Sequence, residues 1–109
     1  MANIFKRKLS RNIGITAVTV GSYVAATTVV TVGLTVCNTN GSAVNASVYL
    51  VDSGETETYL IKNAPIPGGG TLVVVGGDQK VILESGDSIK VISDAASSLD
   101  VTLSIMEIS

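Results

Sequence analysis

The chain has no histidine, a single cysteine (Cys37) and nine acidic residues. Acid–base, nucleophilic or metal chemistry would have to be built from these groups. Without an imidazole the commonest general base is missing, and Cys37 has no histidine to hold it as a thiolate. Asp52, Glu55, Glu57, Asp78, Glu84, Asp87, Asp94 and Asp100 are scattered and fall mostly in turn sequences, where acids are ordinarily solvated or brace the backbone. Their spacing does not match a calcium loop, and one cysteine without histidine does not make a zinc set. The stretch "PGGGTLVVVGG" lacks the Lys-Ser/Thr and the following helix of a phosphate-binding loop. The expectation is a protein that is not an enzyme and takes no metal, cofactor or small-molecule substrate.

The basic residues are unevenly placed. Lys6, Arg7, Lys8 and Arg11 are four of the seven, whereas from Asn12 onward three basic residues face nine acidic ones, a net of 3 − 9 = −6. A basic segment on an acidic body suits nucleic acid, a membrane surface or the acidic face of another copy. Four charges without interleaved aromatics speak against nucleic acid. Cys37 cannot form an intrachain disulfide. It reads either as a small strand residue or as a thiol that bonds Cys37 of another copy.

The elements that position these groups turn on the uncharged run "GITAVTVGSYVAATTVVTVGLTVC", Gly14 to Cys37. It is long enough to cross a bilayer, which takes roughly 20 apolar residues, and a basic flank precedes it. Its content argues otherwise, because Thr16, Thr19, Ser22, Thr27, Thr28, Thr31 and Thr35 would carry hydroxyls into lipid. Val30, Val32, Leu34 and Val36 alternate with Thr31, Gly33, Thr35 and Cys37, the period of a half-buried strand. The run is therefore expected to be strands, with no membrane partner.

The same alternation continues through Val44, Ala46, Val48 and Leu50 and through Leu99, Val101, Leu103 and Ile105. Val, Ile and Thr dominate, as suits a pleated sheet. "NTNGS", "VDSGETE", "GGD", "ESGD" and "DAASS" read as turns. "PIPGGG", with Pro65 and Pro67, is expected to end a strand as a loop or change of sheet. "TLVVV" reads as a strand covered on both faces, and "QKVILESGDSIKVIS" as strand, turn, strand. The fold class is all-β: an antiparallel two-sheet sandwich of about seven to eight strands, immunoglobulin-like or jelly-roll-like. The sandwich is expected to span residues 14–109 as one domain. Residues 1–13 are expected to be an extended N-terminal arm without strand pattern, dispensable for folding and ordered by a neighbour.

The block "YLIKNAPIPGGGTLVVVGGDQKVILESGDSIKVISDAASSLDVTLSIMEI" resembles small β-sandwich virion structural proteins of tailed bacteriophages of the environmental myophage type. The shared elements are the tyrosine-bearing strand, "APIP", "LVVVGGDQKVIL", the "ESGDSIKV" turn and strand, and the closing "SSLDVTLSIMEI". "FKRKLSRNIGITAVTVGSY" and "TVVTVGLTVCNT" match more loosely. The resemblance implies a multi-copy, non-enzymatic structural protein of the virion, on the neck and collar, the tail or the capsid surface; the expected place is the neck, collar or tail, with assembly in the host bacterial cytoplasm. A capsid decoration protein is the alternative, and a receptor- or carbohydrate-binding fibre module is a poorer one. The implied partners are copies of itself and other virion proteins. The residues expected to make those contacts are Ile4, Phe5, Lys6, Arg7, Lys8, Leu9 and Arg11 of the arm, together with Cys37, Pro65 and Pro67.

Overall fold

The computed structural model describes residues 3–108. Nine strands follow in chain order: β1 (Ile4–Ile13), β2 (Val18–Val24), β3 (Val29–Asn38), β4 (Val44–Val51), β5 (Glu57–Ile66), β6 (Thr71–Val75), β7 (Val81–Leu83), β8 (Ser88–Ser93) and β9 (Leu99–Glu107). One sheet has the order β1-β9-β3-β6, with β7 also on β3, and the other the order β2-β8-β4-β5. All pairings are antiparallel.

The pairings are nested. β4 pairs β5, β3 pairs β6 and β7, β2 pairs β8, and β1 pairs β9. This is one long two-stranded ribbon wound on itself, with successive pairs laid alternately in the two sheets. Of the two architectures left open by the sequence, the topology is therefore the jelly roll. The described residues contain no helix long and apolar enough to cross a membrane.

The core lies between the sheets. Leu99, Val101, Leu103 and Ile105 of β9, with Leu34 and Val36 of β3, meet Val48, Ile89 and Val91 of the other sheet, all at 2% exposure or less. Burying one such side chain fully stabilises by about 1.5–3 kcal/mol. The alternation in "LDVTLSI" is thus the alternation of the fold.

Three expectations are corrected. First, residues 4–13 are not an arm outside the sheets: they form β1, in register with β9 from Ile4↔Glu107 to Ser10↔Val101. Polar side chains on an edge strand hid the pattern. Second, β5 runs through Pro65 to Ile66, because β5 is an edge and a missing donor there breaks no ladder. Third, "TLVVV" is not covered on both faces: β6 is also an edge, and Val73 is 61% exposed. The strand, turn and strand of "QKVILESGDSIKVIS" are present, but β7 and β8 do not pair with each other. β7 joins β3 and β8 joins β2 and β4, so "ESGD" is a corner between sheets.

A bulge also alters β3. Its register against β9 shifts between Thr31 and Gly33, with Val32 as the extra residue. Before the shift Val29 and Thr31 point inward, and after it Leu34 and Val36 do. One inserted residue exchanges the faces on one side of it. Val30 is thereby turned outward, and Thr31 is buried at 0% exposure with no hydrogen-bond partner for Oγ1.

Candidate interaction surfaces at the sheet edges and outer face

β1 sits at a free edge with side chains alternating between two environments. Lys6 and Lys8 share a face with Ile105 and Leu103, their partners on β9. They do not enter the core but close the gap between β1 and β2. Lys6 Nζ lies 3.0 Å from Glu107 Oε1, and Lys8 Nζ lies 5.1 Å from the centre of the Tyr23 ring. Tyr23 in turn donates its hydroxyl to Glu107 Oε2 at 2.7 Å. Inward-pointing charges of this kind discourage uncontrolled strand addition at an edge.

The cluster is set electrostatically by its own members. The Tyr23 hydrogen bond, and then Lys6, hold the Glu107 carboxyl below its ordinary value. Burial, and then the Glu107 carboxylate, push the Tyr23 phenol well above its ordinary value. β2 reaches this position through a kink in which Gly21 (φ 60°) and Ser22 (φ 53°) are both left-handed. Gly21 N donates to Ser10 Oγ at 2.8 Å, and a Cβ at Gly21 would stand 2.6 Å from Lys8 Cβ. Only glycine allows β1 to lie this close.

Phe5, Arg7 and Leu9 project to the outer face of their sheet. Phe5 is 73% exposed. It stands in register with Met106 of β9, Met106 with Val30 of β3, and Val30 with Ile82 of β7, which is 52% exposed. An apolar row therefore crosses four strands on the outside of the molecule. Ile4, 48% exposed, falls instead on the Lys6 face of β1, in register with Glu107. Arg11 lies in the bulge between Ser10 and Ile13, beside Asn12 (φ 55°), whose N–H donates to Asp100 Oδ1 at 3.0 Å. Cys37 is half-buried on the same outer face, opposite Asp100 and Thr71.

Pro65 and Pro67 are exposed but elsewhere, on and just beyond the β5 edge. Asn38 governs that corner. It is fully buried, and its Nδ2 donates to the carbonyls of Ser42 and Ile66 at 2.9 Å and of Pro67 at 3.3 Å, while its Oδ1 accepts from Asn40 N at 2.9 Å. Gly68 packs on the same turn, where a Cβ would stand 2.4 Å from the Gly41 carbonyl oxygen. Pro67 therefore belongs to a braced corner. The expected contact residues divide into the β1 group with Cys37 on one sheet and the proline group on the other.

Sequence reasoning missed Met106, Val30, Ile82, Tyr23, Glu107 and Asn38. Met106 was legible as an apolar residue out of phase with Leu103 and Ile105. Val30 was hidden by the bulge. Tyr49 and Tyr59 form a tilted pair with ring centres 5.2 Å apart, and because Tyr49 is only 7% exposed, Tyr59 alone of the two presents a face. Among the described residues no group of three or more acids or cysteines is placed to hold a metal, and no pocket is found.

No family model matches the chain, and no curated protein matches its sequence. Several solved structures are similar. One, described under the words "Bacillus endospore appendages form a novel family of disulfide-linked pili", is 13% identical with a TM-score of 0.57 over 96% of this chain and 87% of that one. The nucleoplasmin-like N-terminal domain of Drosophila FKBP39 is 11% identical with a TM-score of 0.53 over 98% and 91%. A chain of the infectious bursal disease virus Gx strain is 10% identical with a TM-score of 0.51 over 96% of this chain and 32% of its own. At these identities the likeness is one of fold.

Proposed function

We propose that this chain is a non-enzymatic structural subunit of a tailed-phage virion, present in many copies in the neck, collar or tail. The observation that carries the reading is the surface built around β1. A free edge strand and the row Phe5–Met106–Val30–Ile82 leave apolar side chains in water on a face with no partner among the described residues. Contiguous exposed apolar groups of this kind mark places where another protein is buried.

Two further points support the reading. The sequence from Tyr59 to Ile108 resembles tailed-phage virion proteins, and the fold is similar to that of the viral chain and the endospore appendage protein above. Its partners are then copies of itself and other virion proteins, and its location is the particle, assembled in the bacterial cytoplasm.

The test is quantitative mass spectrometry of purified particles separated into heads and tails. Tens of copies travelling with tails are expected. Hundreds of copies on tailless heads would replace this reading with that of a capsid decoration protein. Absence from both would overturn the structural role altogether.

A further inference from the structure

The two ends of the ribbon present free edges of opposite charge on opposite sides of the molecule. β1 ends one sheet and β5 ends the other, and each pairs on one side only. β1 carries Lys6, Arg7, Lys8 and Arg11. Among the described residues the only ion pair is Lys6–Glu107, and among them Arg7 and Arg11, both exposed, have no acidic partner. The β4–β5 hairpin carries Asp52, Glu55 and Glu57, all exposed, against one exposed base, Lys62, whose Nζ lies 5.2 Å from the centre of the Tyr59 ring. Asp52 is used locally, its Oδ1 accepting from Gly54 N at 2.9 Å and Thr56 N at 3.0 Å. Glu55 and Glu57 have no basic partner among the described residues. Each edge also exposes an aromatic side chain, Phe5 at 73% on β1 and Tyr59 at 45% on β5.

We infer that the β1 edge of one copy docks against the β4–β5 edge of a second copy, Arg7 and Arg11 facing the neighbour's Glu55 and Glu57. This rests on the structural-subunit reading and deepens it by naming the two surfaces. Pairing of β1 with β1 would set Arg7 and Arg11 against the same two arginines and is disfavoured, whereas β1 against the β4–β5 hairpin joins opposite charges. The contact is heterologous. Because the two edges lie on opposite sides, repeating it generates a ring or an open array rather than a closed pair. Main-chain hydrogen bonds between two free edges would supply the cohesion, and the charges would select the partner edge.

The experiment is sedimentation velocity on the full chain in low salt, using two charge-reversed variants. One is Arg7→Glu with Arg11→Glu, the other Glu55→Lys with Glu57→Lys. None of these side chains is buried, so thermal denaturation of each variant should match the parent and establish that it is folded. The parent is expected to self-associate, and more weakly at about 1 M salt, where the screening length falls to roughly 3 Å. Each variant alone is expected to associate at least about tenfold more weakly. An equimolar mixture of the two is expected to recover association, because each altered edge then meets its complement. Variants that associate like the parent, or a mixture that does not recover, would overturn the inference. A parent that stays monomeric would also overturn it, while the particle measurement above would still decide the structural role independently.

Discussion

Replacing Thr31 with valine should stabilise the protein. Thr31 is fully buried, in register with Ile105 of β9 and Val81 of β7, and its hydroxyl has no hydrogen-bond partner. Removing a hydroxyl from water without a new bond costs about 1–3 kcal/mol. Valine has nearly the same volume, keeps the branched Cβ that suits a strand, and puts a methyl where the hydroxyl was. The expected gain is about 1–2 kcal/mol. For 109 residues the unfolding entropy is about 0.23 kcal/mol/K, so Tm should rise by about 4–9 °C. Thermal and urea denaturation followed by circular dichroism would measure it, at low protein concentration so that association does not contribute. Thr102→Val, at an exposed position of β9, is the control and should stay within about 0.5 kcal/mol. A Tm for Thr31→Val that is unchanged or lower would refute the reasoning. It would mean that the hydroxyl is satisfied, and hence that the bulge does not turn Thr31 into the core.

Three more outcomes are expected. Asn38→Ala should cost about 2–4 kcal/mol, because it strips the partner from three carbonyls that converge on one buried amide, and a loss under about 1 kcal/mol in urea would contradict that role. Deleting residues 1–11 should cost about 3 kcal/mol or more of a total on the order of 5–15, since it removes most of a sheet strand and opens the β9 edge; a deleted chain with the parent's denaturation midpoint would mean that β1 adds nothing to the fold. The Glu107 carboxyl is held below its ordinary 4.5, so its contribution is present above that pH and is lost as pH falls through the lowered folded value. Glu107→Gln should therefore lower Tm at neutral pH and flatten the decline of Tm below about pH 4.5, and an unaltered acid limb would show that the carboxylate is not coupled to folding.

Much of the architecture was legible because burial and backbone geometry are both local in a strand. Side chains in "LDVTLSI" alternate at the period of the pleat, so the face that enters the core could be read directly. The turns were legible because glycine, asparagine and aspartate are the residues that tolerate tight backbone. β1 was not legible. "IFKRKLSRN" places lysines where the pattern calls for apolar groups, and those positions are half in the sandwich only because β2 kinks at Gly21 to meet them. The candidate surface was partly legible: Phe5, Arg7 and Leu9 were among the expected contact residues, but Met106, Val30 and Ile82 adjoin Phe5 only through registers between strands far apart in sequence.

The sequence by itself determined that the chain is all-β, where most strands begin and end, which face of β9 is buried, and that basic charge is separated from acidic charge. These follow from composition, period two and turn chemistry, which need no knowledge of what lies across the sheet. The tertiary structure alone decided that the ribbon winds as a jelly roll, that β7 and β8 part to different sheets, and that the first strand closes a sheet. It alone decided that one bulge exchanges Val30 for Thr31. Those outcomes depend on non-local pairing, where shifting a register by a single residue reverses every side chain beyond it.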